Sequence, residues 1–176
     1  AWNAGEVVVT LTLGFLAGSL ALVAFGLDSL VEIFASVVVL WHLGRPVAGD
    51  GGRARRLVAG AFVVLGLYLG ATGAHGLVAG AAPAPSSPGI GFLSATVVVM
   101  IALAAAKRRV GTALLSGPLL ANATMTLLDG ALAAGVLVAL VLDQVVGWWW
   151  ADPVAALSVA AAALVEGTRG FREAAA

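Results

Sequence analysis

Apolar residues run in long blocks along this chain, and polar residues gather between the blocks rather than within them. A helix needs about 20 apolar residues to cross the hydrocarbon core of a bilayer. Read with that ruler, the chain contains six blocks, at 2–16, 20–43, 56–80, 90–106, 112–145 and 152–170. The first is short, and the fifth is long enough to include a tilted or amphipathic entry. The connection 44–55 is rich in glycine and arginine, and 81–89 is a turn broken by Pro83, Pro85 and Pro88. Neither is long enough for a soluble domain, and only a few residues follow the last block. The pattern predicts an all-α membrane protein: one transmembrane domain over 1–176, six transmembrane helices and no soluble C-terminal domain. The chain opens at Ala1, without methionine and already inside an apolar block, so residues upstream are expected.

Composition agrees. Of 176 residues, 61% are hydrophobic and 10% charged, against roughly 25% charged in soluble domains. There is no cysteine, which excludes disulfides, thiolate metal sites and cysteine catalysis. Net charge is zero, but its distribution carries information. Arg45, Arg53, Arg55 and Arg56 lie between blocks two and three; Lys107, Arg108 and Arg109 lie between four and five; Arg169 and Arg172 follow block six. All nine fall on one side of a six-span arrangement, so the positive-inside rule places both termini in the cytoplasm. No basic face suits nucleic acid. The single lysine against eight arginines, with abundant alanine, glycine and valine, hints at a GC-rich bacterial genome. A multi-pass protein of a bacterial inner membrane is expected.

Against this background two acids stand out. Asp28 and Glu32 are four residues apart, on one face of a helix, and a carboxylate inside a bilayer persists where it meets a partner, a cavity or an ion. An offset of 97 residues pairs Ser19 with Ser116, Leu22 with Leu119, Ala24 with Ala121 and Leu30 with Leu127. In that register Asp28 falls on Met125 and Glu32 falls on Asp129. Three carboxylates converging in low dielectric repel one another unless a cation or protons neutralise them. Oxygen ligands of this kind suit divalent metals, zinc included. Glu6 is a candidate fourth ligand from block one.

At these residues the sequence resembles the cation diffusion facilitator, or cation efflux, family of divalent-metal/proton antiporters, in its compact, transmembrane-only branch. The family's second span reads Ser-Gly-Ser-Leu-Ala-Leu-Leu-Ala-Asp-Ala-x-His/Asp-Ser-x-x-Asp. This chain has Ala17-Gly-Ser-Leu-Ala-Leu-Val-Ala-Phe-Gly-Leu-Asp-Ser-Leu-Val-Glu, with Asp28 and Glu32 at the two ligand positions. The fifth span's Ala-Asp-Ala-x-His-x-x-x-Asp corresponds to Ala121-Asn-Ala-Thr-Met-Thr-Leu-Leu-Asp, and Asp152-Pro-Val-Ala-Ala matches the family's sixth-span opening. The resemblance implies metal efflux by alternating access, with protons as counter-ion and a homodimeric assembly. Zinc is the first expectation for the transported ion; cobalt, manganese, iron and nickel are open. Met125 replaces a histidine or aspartate, Asn122 an aspartate and Glu32 an aspartate, so the ligand set expected is Asp28, Glu32 and Asp129, with Glu6, Met125 and Asn122 as further candidates. The family's cytoplasmic metal-binding domain has no counterpart in the sequence. These departures give the alternative reading: a non-transporting membrane subunit whose degenerate cation site stabilises a larger complex.

Other polar residues read more plainly. His42 and Glu166 suit interfacial positions beside the basic loops, and His75 a helix contact or outer vestibule. Asp152 before Pro153 reads as the N-cap of its own helix, and Trp148-Trp149-Trp150 as an aromatic belt. No motif supports an enzyme.

Overall fold

A computed structural model describes residues 2–43, 51–80 and 82–175; Arg45 and the side chain of His42 lie outside the described residues. Among the described residues the chain forms six helices and no strand: α1 (Trp2–Ala17), α2 (Leu20–Leu43), α3 (Gly51–Ala79), α4 (Ser87–Ala113), α5 (Gly117–Val146) and α6 (Ala151–Glu173). The last five are long and apolar enough to cross a membrane, and α1 is a shorter apolar helix. Large aliphatic and aromatic side chains such as Phe15, Val64, Leu67 and Val78 are exposed around the bundle. That suits lipid as solvent, because each helix satisfies its own backbone polar groups.

The helix ends explain where the hydropathy ruler misjudged. α3 begins at Gly51, not 56, because arginine favours helix and the first turns carry Arg53, Arg55 and Arg56 beyond the apolar stretch. α4 exceeds 90–106 at both ends. Ser86 Oγ accepts the Gly89 N–H at 3.2 Å and caps its start, while Lys107, Arg108 and Arg109 continue the helix outward. α5 starts at Gly117 rather than 112, because 112 and 113 still belong to α4. A tight turn then follows, with Leu115 at φ 51° and the Ser116 N–H on the Gly111 carbonyl at 2.9 Å. α1 closes on Gly18, whose φ of 64° favours glycine, and the Ser19 N–H returns to the Gly14 carbonyl at 3.0 Å.

Short connections fold neighbouring helices antiparallel. α3 packs most extensively on α6, α4 on α5 and α1 on α2; α2 also meets α3, α5 and α6. Small residues set the closest approach. A Cβ at Gly66 of α3 would lie 2.9 Å from the Ala160 carbonyl oxygen, and one at Gly167 of α6 would lie 2.9 Å from that of Ala59. The two ends of the bundle differ. Leu22, Phe25, Leu69, Leu93, Val136, Ala156 and Val159 form the buried core towards the end that carries the tryptophans. Asp28, Glu32 and Asp129 lie below that core, towards the middle of the bundle, whereas Asp152 is buried at the tryptophan end.

Candidate metal centre

α2 and α5 run in opposite directions, and Ser19 and Ser116 stand just before their first residues. Glu32 and Asp129 are therefore each twelve residues beyond the start of their helix, about 18 Å along the axis. They converge near the middle of the bundle, where both side chains line the same two cavities. Two carboxylates lining one cavity in low dielectric repel each other unless protons or a bound cation neutralise them. One turn before each, α2 contributes Asp28 and α5 contributes Met125. Asp28 is within electrostatic range of Asp129.

Two cavities flank this pair. The first, about 580 Å³, lies between α2, α3, α5 and α6 and is lined by Asp28, Glu32, Phe62, Met125, Asp129 and Glu166, with Ala161, Ala162 and Ala163 leaving space on α6. The second, about 310 Å³, is lined by Asn3, Ser36, Lys107, Asn122 and Thr126, and it shares Glu32, Phe62, Met125 and Asp129 with the first. Glu32 and Asp129 thus form the wall between an acidic chamber and a polar one. Asn3 reaches in from α1 and donates its amide N–H to Glu32 Oε2 at 2.6 Å, which fixes that carboxylate's orientation. Lys107 donates to Thr126 Oγ1 at 2.7 Å, one turn before Asp129.

Of the expected ligands, Asp28, Glu32, Met125 and Asp129 share one cavity, and Asn122 lines the adjoining one. Glu6 does not open into either. It is buried in the α1–α2 contact, where Oε1 accepts the Trp2 indole N–H at 2.8 Å and Oε2 the Ser29 hydroxyl at 3.4 Å; Trp2 in turn stacks on Phe92. Among the described residues no three of His, Asp and Glu close into a cage around one point. In this conformation the acids line a roomy chamber, and an ion there would keep positions open for water.

Three residues depart from the sequence reading. Glu166, expected at the interface, lines the acidic chamber. Lys107, expected only to set topology, lines the polar one. Asp152 does not cap its own helix: α6 begins at Ala151, and the Asp152 side chain is turned to the start of α2, accepting from Ser19 Oγ at 2.5 Å and from the Leu20 N–H at 2.7 Å. Asn3 was missed. A lone amide beside an apolar block carries no signal without knowledge of which helices meet. His75 is exposed and lines neither cavity.

Apolar spanning helices around a chamber of carboxylates define a multi-pass membrane protein built to handle cations. The family model of the cation efflux transmembrane domain matches residues 55–176, and the chain belongs to this family. It is a metal cation efflux transporter in general class, and divalent metal ions are the family's substrates. No individual curated protein matches the chain. The matched segment covers α3 to α6 and includes Asp129; Asp28 and Glu32 lie ahead of it and join it through the geometry at Asp129.

Proposed function

We propose that the protein exports divalent metal ions, zinc first, across a bacterial inner membrane in exchange for protons. Asp28, Glu32 and Asp129 are the ligands, and both termini lie in the cytoplasm. The observation that carries the reading is the convergence of Glu32 and Asp129, from two oppositely directed helices related by the 97-residue offset, on the lining of a chamber that also takes Asp28. Carboxylate ligands must be free of protons to bind metal, so metal entry releases protons and proton entry releases metal. That linkage is what an antiporter needs. The chambers run from the middle of the bundle towards the arginine end and the packed core lies at the other, which fits a state open to the cytoplasm in an alternating-access cycle. Met125 contributes packing and at most a weak thioether contact. A homodimer is the assembly proposed, as the family resemblance implies.

The test is metal uptake into proteoliposomes under a pH gradient, comparing the native protein with Asp28→Ala and Asp129→Ala. Native uptake of zinc or cobalt that both variants lose supports the reading. No movement of any divalent ion by the native protein, together with copurification in a fixed stoichiometric complex, supports the subunit alternative. The absence of a three-residue cage around one point is the observation on that alternative's side.

A further inference from the structure

We infer that Lys107 is a tethered counter-cation of the acid site, which competes with incoming ions and so favours divalent over monovalent cations. The inference rests on the reading of Asp129 as a cation ligand. Lys107 is the only lysine in the chain; the other eight basic residues are arginines. Its neighbours Arg108 and Arg109 are exposed, whereas Lys107 is half-buried and turned into the bundle. A residue that only sets topology has no reason to be inside, because a basic group at a helix end reaches water or lipid headgroups more cheaply.

The position of Lys107 is specific. Its ammonium donates to Thr126 Oγ1 at 2.7 Å, and the Thr126 hydroxyl donates onward to the Asn122 carbonyl at 3.0 Å. Thr126 is therefore oriented with a lone pair towards the lysine. Thr126 and Asp129 are three residues apart on one helix face, so the bond to Thr126 holds the ammonium on the side of α5 that carries Asp129. Lys107, Glu32 and Asp129 line the same cavity.

Lysine suits such a role better than arginine. Its charge is compact and its stem flexible, so it can withdraw along the chamber when an ion arrives. A monovalent ion carries no more charge than the ammonium already present, and the ammonium is tethered at high local concentration. A divalent ion brings twice the charge and displaces it. The acids thus meet a built-in threshold that sodium or potassium does not overcome.

The experiment is cobalt binding to the purified full chain in detergent, with and without added sodium, for the native protein, Lys107→Met, Lys107→Arg and Asp129→Asn. Lys107→Met is expected to bind cobalt roughly tenfold more tightly at low salt, as removal of one nearby positive charge predicts. Sodium should weaken that binding while leaving the native protein unaffected. Lys107→Arg keeps the charge but withdraws less readily, so its cobalt binding should stay insensitive to sodium and be no tighter than native, which a purely packing role of the lysine stem would not require. If Asp129→Asn loses cobalt while Lys107→Met matches the native protein, the acid site stands and the lysine's role is overturned. If Asp129→Asn binds as the native protein does, the acid site is wrong and the inference falls with it. Loss of binding in Lys107→Met with a folded, monodisperse protein also overturns it.

Discussion

Ser19 donates its hydroxyl to Asp152 Oδ1 at 2.5 Å, joining the start of α2 to the first turn of α6 across 133 positions of sequence. Asp152 Oδ2 accepts the Leu20 N–H at 2.7 Å and the Ala21 N–H at 3.3 Å, so one buried carboxylate satisfies the open N-terminal donors of a helix that is not its own. Its negative charge also sits at the positive end of the α2 dipole. This contact lies at the tryptophan end, where the core is packed, and it holds α2 and α6 together on the side away from the chambers.

Replacing Asp152 with alanine leaves the Ser19 hydroxyl and two backbone donors buried without an acceptor. The expected cost is about 3 kcal/mol, the range for losing a charge-assisted, buried hydrogen-bond acceptor. Ser19→Ala removes that donor and also the acceptor of the Leu22 N–H, and should cost about 1–2 kcal/mol. Thermal unfolding in detergent measures both. Equal midpoints for the native protein and Asp152→Ala would reject the role of this bond as a brace.

Asn3 predicts a different effect, on binding rather than on folding. Its amide fixes one oxygen of Glu32 at 2.6 Å, as an outer partner orients a metal ligand. Loss of such partners typically weakens metal binding by about 10- to 100-fold. Asn3→Leu should therefore weaken cobalt binding within that range while shifting the unfolding midpoint little. A variant that unfolds early yet binds cobalt as the native protein does would make Asn3 a structural residue instead.

The glycines separate into two kinds. A Cβ at Gly167 would stand 2.9 Å from the Ala59 carbonyl oxygen and 3.0 Å from the Val63 nitrogen, backbone atoms that cannot move aside without shifting α3. A Cβ at Gly5 would meet nothing within 4 Å. Gly167→Val should therefore force α3 and α6 apart, costing about 1–3 kcal/mol as overpacking does. Gly5→Ala should be neutral or stabilise by a few tenths of a kcal/mol through helix propensity. Unfolding midpoints in the same detergent compare the two.

How much of this was readable in the sequence follows from the range of each interaction. The apolar blocks were legible because hydropathy is a local pattern, and the acids of α2 and α5 stood out because carboxylates inside apolar blocks are rare. Helix ends were not. Arg53 and Arg55 lie in α3 although the hydropathy pattern leaves them in the connection before its block, since hydropathy measures the hydrocarbon slab and a helix can outrun it. The partners of Asp152, Glu166, Lys107 and Asn3 were hidden for a single reason. Each is a polar residue towards a helix end, where an interfacial position explains it equally well until the packing of α1 on α2, of α4 on α5 and of α2 on α6 is known. Glu6 erred in the opposite direction: depth in the membrane suggested a ligand, but Trp2 and Ser29 take both of its oxygens.

Met125 offers the most direct gain-of-function test. It lines both chambers one turn before Asp129 and is 43% exposed, so its side chain has space to be exchanged. In the resemblance drawn from the sequence, this position carries a histidine or aspartate. A thioether binds zinc poorly, whereas imidazole nitrogen is among its preferred ligands. Met125→His should tighten zinc binding by roughly 10- to 100-fold, a change of the size that ligand-sphere alterations produce. Because imidazole binds metal only when neutral, the gain should shrink as the pH is lowered through about 6.5, the ordinary value for histidine. Competition of zinc against a coloured chelator, run across that range, reads both effects. Unchanged zinc affinity in a folded Met125→His protein at high pH would place the metal elsewhere than beside Asp129.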